Sequence, residues 1–408
     1  MGEKIMSTAA KRRRVGVAVV GIGGAVATTA VAGVAILRSG TNRMDGLPLA
    51  HVAVPGLVGY EDLVFRGWDL NAQSLAEAAA EHRVLNDNQL AEAAPALSAV
   101  QPWAAVASGA FCRRIEGANQ HRAEGHRAAV AAIIADLKRF KASNDLDGLV
   151  MINLASTERT PADSAVLRTP EAFERGLDGD DPAIGPAMLY AYAAITAGVP
   201  YGNFTPSSAA DVPALAELSR RRSVPVAGKD GKTGQTLMKT VLAPALRARA
   251  LHVDGWFSTN ILGNRDGQAL EDPDSLKSKL DTKGSVLDSI LGYKVEDHLV
   301  DIRYYRPRGD DKEAWDNIDI SGFLGHRMQI KVNFLCKDSV LAAPLVLEIA
   351  RVLDLAQQRG EGGPQEQLSL FFKAPMTANG NAPEHAFPVQ ERMLQDWLAV
   401  GAVANAAE

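Results

Sequence analysis

Two stretches of the chain combine a short apolar run, a glycine-rich turn and a segment long enough for a helix. In the first, Val15 to Val20 has strand length, Gly21-Ile22-Gly23-Gly24 forms the turn, and Ala25 to Leu37 is apolar. In the second, Val224 to Ala227 leads through residues 228–236 into Leu237 to Leu242. A buried strand, a tight turn and a helix produce this pattern.

The pattern alternates between strand and helix over the N-terminal half. Gly148 to Leu154 is a further apolar run of strand length, and polar residues follow it. The predicted helices are Ser74 to Arg83, Gln89 to Leu97, His121 to Ser143 and Pro186 to Gly198, and residues 199–207 are predicted as a turn-rich loop. Alternating elements of this kind predict a parallel sheet with helices on both faces.

The pattern changes after Thr236. Residues 252–260, 294–305 and 327–336 have strand character and are separated by long polar connections, which predicts a second, mixed or antiparallel sheet. Val340 to Leu355 then predicts a helix and Gln367 to Phe372 a short strand, so the chain is expected to return to the first domain.

The glycine turn after Val20 is typical of a dinucleotide-binding βα unit, in which a pyrophosphate lies on the helix N-terminus. The match is partial, because the third glycine position of the fingerprint is occupied by Val26. Two other interpretations remain open. Lys11-Arg12-Arg13-Arg14 followed by an uncharged run also fits a signal peptide or membrane helix, and the glycines also fit a purely structural turn.

Residues 228–236 read Gly-Lys-Asp-Gly-Lys-Thr-Gly-Gln-Thr. A glycine-spaced, hydroxyl-rich turn before a helix directs several backbone N–H groups at one point, which favours an anion. The spacing differs from the Walker pattern, so a nucleotide P-loop is excluded. A solvated loop made of ordinary turn residues is the alternative.

Composition limits the class of partner. The chain has 408 residues, 47% hydrophobic and 22% charged, which is typical of a globular protein of about two domains. Its net charge of −5 argues against a nucleic-acid or membrane surface as partner. With Cys112 and Cys336 as its two cysteines, a disulfide framework or thiolate metal site is not expected, and a reducing, cytoplasmic location is the simplest interpretation.

Charged residues of the second half are the candidates for chemistry. Asp266 lies in a turn at residues 260–267, and Lys279 and Lys283 would share one face of a helix. Lys312 follows Gly309-Asp310-Asp311, and Asp338 precedes an apolar run. Lys373 has apolar neighbours, so its side chain either reaches solvent or is held in a pocket.

These motifs, in this order, resemble the myo-inositol-phosphate synthase family, and its shorter archaeal and bacterial branch in particular. The resemblance runs from Val15 to Met376. The matching blocks are Gly21–Gly24 with Thr28-Thr29, Gly67-Trp68-Asp69, 153–158, 228–236, 260–267, Lys279 with Lys283, 309–312, Asp338 with 342–345, and 372–376. One departure is Ala25-Val26, where the family usually has Asn after the paired glycines.

The resemblance implies an α/β fold: a Rossmann-like doubly wound parallel sheet with an inserted α+β domain for catalysis and tetramerisation. The expected division is an NAD-binding segment at 10–236, the inserted domain at 237–341 and a return segment at 342–408. A homotetramer is expected, with a sugar phosphate as ligand and no nucleic-acid or membrane partner.

The implied activity converts glucose 6-phosphate into an inositol phosphate without net redox change, through oxidation at carbon 5, enolisation, aldol ring closure and reduction. NAD is the implied cofactor, and a divalent or monovalent cation is a further candidate. An NAD-dependent sugar-phosphate dehydrogenase that releases NADH, and an inactive cofactor-binding homologue, are the rival hypotheses.

The resemblance also assigns residues to roles. The implied catalytic set is Lys279, Lys283, Lys312, Lys373, Asp230, Asp266 and Asp338. The implied cofactor contacts are Gly21, Ile22, Gly23, Gly24, Ala25, Val26, Asp69, Ala155, Ser156, Thr157, Asp230, Asn260, Leu262 and Asp266. Thr233, Gly234, Gln235, Thr236 and Lys283 would bind the substrate phosphate.

Overall fold

The computed structural model describes residues 12–40, 44–112, 117–122, 124–263 and 286–404, with side chains to residue 400. Its larger sheet has seven parallel strands: β1 Val15–Val20, β2 Leu63–Asp69, β3 Trp103–Ala104, β4 Gly148–Asn153, β5 Tyr201–Asn203, β6 Pro225–Gly228 and β11 Gly363–Pro364. Their spatial order is β11-β6-β5-β4-β1-β2-β3, so the sheet grows outward in both directions from β1 and β4.

Ten helices of known bounds are labelled in chain order, and residues 286–291 are also helical. They are α1 Ala25–Arg38, α2 Leu75–His82, α3 Asp87–Ser98, α4 His126–Ser143, α5 Pro170–Asp178, α6 Pro186–Thr196, α7 Pro213–Arg221, α8 Gln235–Ala248, α9 Asp338–Gln358 and α10 Phe387–Ala404. One core cluster joins α1, α3, α9 and α10 to one face of the seven-stranded sheet. A second joins α4, α5, α6 and α7 to the other face. This is the doubly wound arrangement.

The smaller sheet has four strands, β7 His252–Leu262, β8 Asp297–Tyr304, β9 Asp311–Ser321 and β10 Arg327–Lys337, in the order β10-β9-β7-β8. It is mixed, because β7 is parallel to β8 and antiparallel to β9. Helix α8 covers one face, around Trp256 and Ile318. The α/β class, the parallel sheet and the second mixed sheet are confirmed.

The position of β1 inside the sheet explains why the sequence predicted this strand. All six residues of β1 are buried, as are those of its neighbour β4, so both read as continuous apolar runs. Val15 pairs with Leu63 on one side and with Gly148 on the other. Residues 15–38 therefore form a strand, a turn and a 14-residue helix. In the part of the chain that the structure describes, no helix combines the length and apolarity needed to cross a membrane.

Three predictions about elements are wrong. Residues 367–371 of the predicted strand lie in a 3₁₀ helix, Glu366–Phe371, and the strand of that region is the two-residue β11. Residues 199–207 contain β5, which pairs with β4 and β6. The long helix predicted from His121 begins at His126. The first two errors concern short elements whose partners are distant in sequence, and local pattern carries no information on such pairing. The third concerns the start of an 18-residue helix, whose N-cap is Gly125.

Strand β9 was not predicted, although it is central in the second sheet. Its sequence, Asp-Lys-Glu-Ala-Trp-Asp-Asn-Ile-Asp-Ile-Ser, is rich in charge, and its buried positions alternate with exposed or half-buried ones. The alternation at Ala314, Asp316, Ile318 and Ile320 is the available signal.

Candidate active site

A cleft of about 910 Å³ lies at the carboxyl ends of the parallel strands, between the two sheets. The turn after β1, the end of β2, residues 154–158 after β4 and residues 204–206 after β5 form one side. The other side is formed by Asp230, Gly231, Thr233, Gly309, Asp310, Lys312, Asp338, Ser339, Ala342 and Lys373. In doubly wound folds this edge of the sheet is where ligands bind.

The glycine turn is fixed by its neighbours. Gly21 has φ of 82°, and its backbone N donates to the Trp68 carbonyl at 2.8 Å. A Cβ on Gly21 would lie 3.0 Å from the backbone of Ala155. Asp69, at the end of β2, accepts from the backbone N of Gly23 at 2.9 Å. The turn therefore keeps its backbone close to β4, which leaves no space for a side chain.

This turn fits a dinucleotide. Helix α1 begins at Ala25, and Gly24 at its N-cap contributes no side-chain hydrogen bond to the first amides. Ala25 and Val26, at the start of the helix, line the cleft beside Gly21 and Gly24. A helix N-terminus reached through a side-chain-free turn suits a pyrophosphate, and a carboxylate at the end of β2 suits a ribose hydroxyl.

A short antiparallel pairing builds the opposite wall. Residues 228–232 and 371–376 are joined by backbone hydrogen bonds of 2.7 to 3.1 Å. The pairing brings together Asp230 and Lys373, whose Nζ donates to the Asp230 carboxylate at 2.7 Å. Both side chains are buried, and the second Asp230 oxygen has no hydrogen-bond partner among the described residues. Removing one partner of an ion pair buried in this way is costly, because the other charge is left without compensation.

A second lysine meets the loop from the other sheet. Lys312, near the start of β9, donates to Asp338 at 3.3 Å, and Thr233 donates its hydroxyl to the same carboxylate oxygen at 2.9 Å. The Lys312 ammonium lies 3.3 Å from where a Cβ of Gly234 would stand. Glycine at 234 therefore allows the ammonium to approach the loop backbone directly.

Gln235 ties the loop to the second sheet. Its amide N donates to the carbonyls of Thr259 at 2.9 Å and Trp315 at 3.2 Å, and Asn260 donates to its amide oxygen. The Gln235 and Thr236 side chains are buried. The loop consequently offers an anion its backbone amides, while the Thr233 hydroxyl donates to Asp338 and Gln235 fixes the start of α8.

The other predicted site residues lie in different surroundings. Asp69, Ala155, Ser156 and Thr157 line the cleft. Ile22 is in the core of the seven-stranded sheet, and Asn260 and Leu262 are buried on β7. Asp266, Lys279 and Lys283 fall in 264–285 and so lie outside the described residues.

Two acidic groups of the cleft were not predicted. Glu158 accepts from the backbone N of Ala187 at 3.0 Å, and burial raises its pKa to about 8 against the lowering effect of that bond. Asp310 accepts from the hydroxyl and backbone N of Ser339 at 2.6 and 3.1 Å. Burial raises the Asp310 pKa, and the bonds from Ser339 oppose this. Glu158 directly follows the predicted 155–157 segment, which is the signal that could have identified it.

Two buried lysines were also missed. Lys232 donates to Gln390 at 2.5 Å, and burial lowers its pKa to about 7. Lys239 contacts the ring Nε2 of His298 at 2.6 Å, and burial lowers its pKa to about 8. Sequence gives no indication of their burial, because Lys232 lies in a turn and Lys239 on a helix. Within the described ranges, no cluster of His, Cys, Asp or Glu has a metal-binding arrangement.

The fold and its cleft define a dinucleotide-binding α/β protein of the doubly wound class, with a second mixed sheet. A family model described as myo-inositol-1-phosphate synthase, with an NAD-binding domain, matches residues 43–399, and the chain belongs to that family. It is therefore an enzyme of this family, and the resemblance drawn from the sequence motifs is confirmed.

Individual relatives agree with this. An inositol-3-phosphate synthase of Bacteroides thetaiotaomicron is 42% identical over 94% of this chain and 95% of its own. A probable inositol 3-phosphate synthase isozyme of Arabidopsis thaliana is 31% identical over 84% of this chain and 71% of its own. The crystal structure of an inositol-3-phosphate synthase from Caenorhabditis elegans superimposes with a TM-score of 0.89 at 26% identity, covering 96% of this chain and 86% of that one.

Proposed function

We propose that the chain converts glucose 6-phosphate into 1D-myo-inositol 3-phosphate. The observation that carries the proposal is that one cleft joins the dinucleotide turn to a hydroxyl-bearing anion loop and two carboxylate-paired lysines. Family membership supports the same reaction. When bound, NAD supplies a hydride acceptor at carbon 5 that later returns the hydride, so the overall reaction needs no external oxidant.

The cofactor would be held by the turn after β1 and by the ends of neighbouring strands. Gly21, Gly23 and Gly24 with the first amides of α1 would take the pyrophosphate, and Asp69 a ribose hydroxyl. The polar segment 155–157 and Asp230 would lie along the rest of the cofactor, with Ile22, Asn260, Leu262 and Asp266 as further predicted contacts. The cradle left by the glycines supports this assignment.

The substrate phosphate would bind at Thr233-Gly234-Gln235-Thr236, helped by Lys283. The loop begins a helix of 14 residues, whose amides and dipole favour an anion. The contacts of Gln235 with the second sheet support a pre-organised loop, because they hold the start of α8 before any ligand arrives. Binding the phosphate far from the reacting carbons would orient the sugar in the cleft.

Lysines would manage the protons and charges of the sugar. Lys279 would remove and return the proton of the carbon 5 hydroxyl. Lys312 and Lys373 would stabilise the oxyanions that develop on the sugar, because an ammonium fixed in a buried site costs no reorganisation during the reaction. Asp338 and Asp230 support these roles by holding the two ammonium groups at 3.3 and 2.7 Å. Asp266 is assigned to orientation of the lysines or the cofactor.

The direct test is incubation with glucose 6-phosphate and NAD⁺, followed by phosphorus NMR of the product and NADH absorbance. A cyclic phosphate monoester formed without accumulated NADH supports the synthase. Stoichiometric NADH instead supports the dehydrogenase, and absence of any product supports the inactive homologue. A parallel assay with a chelator decides whether a divalent cation takes part, and one with varied potassium or ammonium addresses a monovalent cation.

The second sheet supports a homotetramer. Its face opposite α8 exposes Phe257, Leu299, Trp315 and Leu335, which share one side of neighbouring strands. An exposed apolar patch of this kind marks an interaction surface, and a second copy of the same chain would cover it. We also propose a cytoplasmic location. The chain would be divided into its NAD-binding segment, inserted domain and return segment after residues 236 and 341.

A further inference from the structure

Lys232 lies within the loop of residues 228–236, but its side chain points away from the cleft. Its neighbours in sequence, Gly231 and Thr233, both line the cleft, whereas the Lys232 side chain is 3% exposed on the opposite side. Its Nζ donates to the Gln390 amide oxygen of α10 at 2.5 Å and lies 5.6 Å from the centre of the Phe387 ring. The backbone N of Lys232 donates to Phe371, next to the segment that carries Lys373.

This lysine has no counter-charge among the described residues. No carboxylate forms an ion pair with it there, in contrast to Lys229, which pairs with Asp211 at 2.7 Å. The Lys232 charge acts on His385, before α10, whose pKa is lowered to about 4 mainly by burial and further by that charge. His385 is therefore neutral at pH 7.

Carboxylates on the elements that pack against Lys232 are engaged elsewhere. Glu384 accepts from the backbone N of His385 and Ala386, and Glu366 of the 3₁₀ helix accepts from Ala378. Glu391 on α10 is exposed. Asp230, two residues before Lys232, pairs with Lys373. Within the described residues, the Lys232 ammonium is thus stabilised by an amide oxygen and a ring face alone. An anion that binds nearby would favour its charged form.

We propose that Lys232 takes up a proton when a phosphate-type anion binds at residues 233–236, so that the ligand is held partly by a lysine that it never touches. The proposal rests on the proposed phosphate site. The proton goes from solvent to the Lys232 amine, and no other bond changes. Unlike charges roughly 10 Å apart in a protein interior still attract enough to change a binding constant about tenfold.

The proton state before binding makes the effect measurable. Burial lowers the Lys232 pKa to about 7, so close to half of the molecules carry the neutral amine at pH 7. An arriving anion favours the charged form and raises that pKa. Uptake of about half a proton per bound anion is expected at pH 7, and almost none near pH 5.5, where Lys232 is already charged.

Sulfate is the suitable probe, because a phosphate monoester itself titrates with a pKa of about 6. Calorimetric titration of the full chain with sulfate, in two pH 7 buffers of different ionisation enthalpy, yields both the Kd and the proton uptake. For Lys232→Met we expect loss of the uptake and a Kd raised about tenfold at pH 6. For Lys232→Arg we expect retained affinity without uptake, because the guanidinium is always charged.

Two matched variants separate this lysine from its neighbours. Lys229→Met, in the same loop, should keep the uptake, because Lys229 is ion-paired outside the cleft. Lys239→Met should also keep it, although the Lys239 pKa is lowered as well. Circular dichroism checks whether Lys232→Met folds, because the change leaves the Gln390 amide oxygen without its donor. If it does not fold, the double variant Lys232→Met with Gln390→Leu is used instead.

The outcomes distinguish this inference from the function on which it rests. Sulfate binding with uptake that persists in Lys232→Met, or that disappears in Lys239→Met, overturns the inference and leaves the phosphate site intact. If the titration detects no sulfate binding to the parent chain, and Thr233→Ala gives the same result, the phosphate site itself is overturned.

Discussion

At the scale of single residues, the cleft is built from pairs that are distant in sequence. Asp230 and Lys373 are 143 positions apart and form a buried ion pair. The sequence singled out both residues through the family motifs, and the apolar neighbours of Lys373 left open whether its side chain reaches solvent or is buried; in the structure it is buried. That Asp230 is its partner could not be predicted from local pattern, because the contact depends on the pairing of 228–232 with 371–376.

Replacing Lys373 tests its proposed electrostatic role. Lys373→Met should lower kcat a hundredfold or more, about 3 kcal/mol, which is typical for one preorganised contact. The change also leaves the Asp230 carboxylate buried without its cation, which costs about 3 to 5 kcal/mol in broken buried pairs. The double variant Lys373→Met with Asp230→Asn removes this unpaired charge and should fold more stably than Lys373→Met. Steady-state kinetics measures the change in kcat, and urea unfolding measures the change in stability.

Two controls accompany Lys373→Met: one keeps the positive charge at position 373, and the other removes a lysine charge at an exposed position. Lys373→Arg should not restore the rate, because a planar guanidinium does not occupy the compact site of an ammonium. Lys138→Met, at an exposed position of α4, should change kcat little. Near-normal turnover of Lys373→Met would contradict the role assigned to this lysine.

Glu158 should make folding depend on pH. Its pKa is raised from 4.5 to about 8 by burial, so the folded chain keeps a proton that the unfolded chain loses above pH 4.5. The contribution to stability is fully present below that pH and is lost as pH rises toward 8. Glu158→Gln should reduce the fall in unfolding free energy between pH 5 and 8, by on the order of 3 kcal/mol. Urea unfolding at several pH values measures it, and parallel curves for both chains would refute the assignment.

At the scale of elements, predictability followed burial and length. The strand and helix at 15–38 were predicted within one residue, because a strand buried on both faces and an apolar helix leave a continuous pattern. The three-residue β5 and two-residue β11 leave none, and they exist because adjacent strands supply their hydrogen bonds. The residue types at 228–236 predicted an anion site, with a solvated loop as the alternative, whereas the direction of Lys232 away from the cleft depends on α10.

Gly231 tests whether the 228–232 segment must lie where it does. A Cβ there would stand 2.1 to 2.6 Å from ring carbons of Phe204, so Gly231→Ala requires the segment or the ring to move. We expect a loss of about 1 to 3 kcal/mol of stability and a clear fall in kcat/KM, because Asp230 would shift with the loop.

The control for Gly231 is another glycine of the chain. Gly33 lies in α1, and a Cβ there meets no atom within 4 Å. Gly33→Ala should therefore raise stability by up to about 1 kcal/mol, through helix propensity, with activity unchanged. Thermal unfolding and initial rates compare the two. Equal behaviour of the two alanine variants would show that the close approach at Gly231 is not required.

At the scale of the whole molecule, the two sheets divide the work. The seven-stranded sheet supplies the cofactor turn, and the four-stranded sheet supplies Lys312 and anchors Gln235. The sequence predicted the second sheet but not β9, although β9 carries Lys312 at the cleft and Trp315 on the outer face. The charged residues of β9 masked the alternation of its buried positions, which was the signal that the sequence offered.

The outer face of the second sheet should control assembly. Leu335 is 60% exposed there, with Trp315 on the adjacent strand. Leu335→Glu should convert a tetramer into smaller species while the protomer stays folded, because a charge buried in an apolar interface is strongly unfavourable. Light scattering measures the mass. Lys331→Glu, on the same face and already polar, is the control, and an unchanged mass for Leu335→Glu would exclude this face as the interface.

The most direct test of the proposed reaction follows the hydrogen on carbon 5 of the substrate. Glucose 6-phosphate carrying deuterium at that carbon is turned over with excess unlabelled NAD⁺, and mass spectrometry locates the label. If oxidation and reduction occur in one cleft without release of the reduced cofactor, the deuterium is retained in a cyclic inositol phosphate. Deuterium recovered in released NADH, with a non-cyclic oxidised product, would contradict the account.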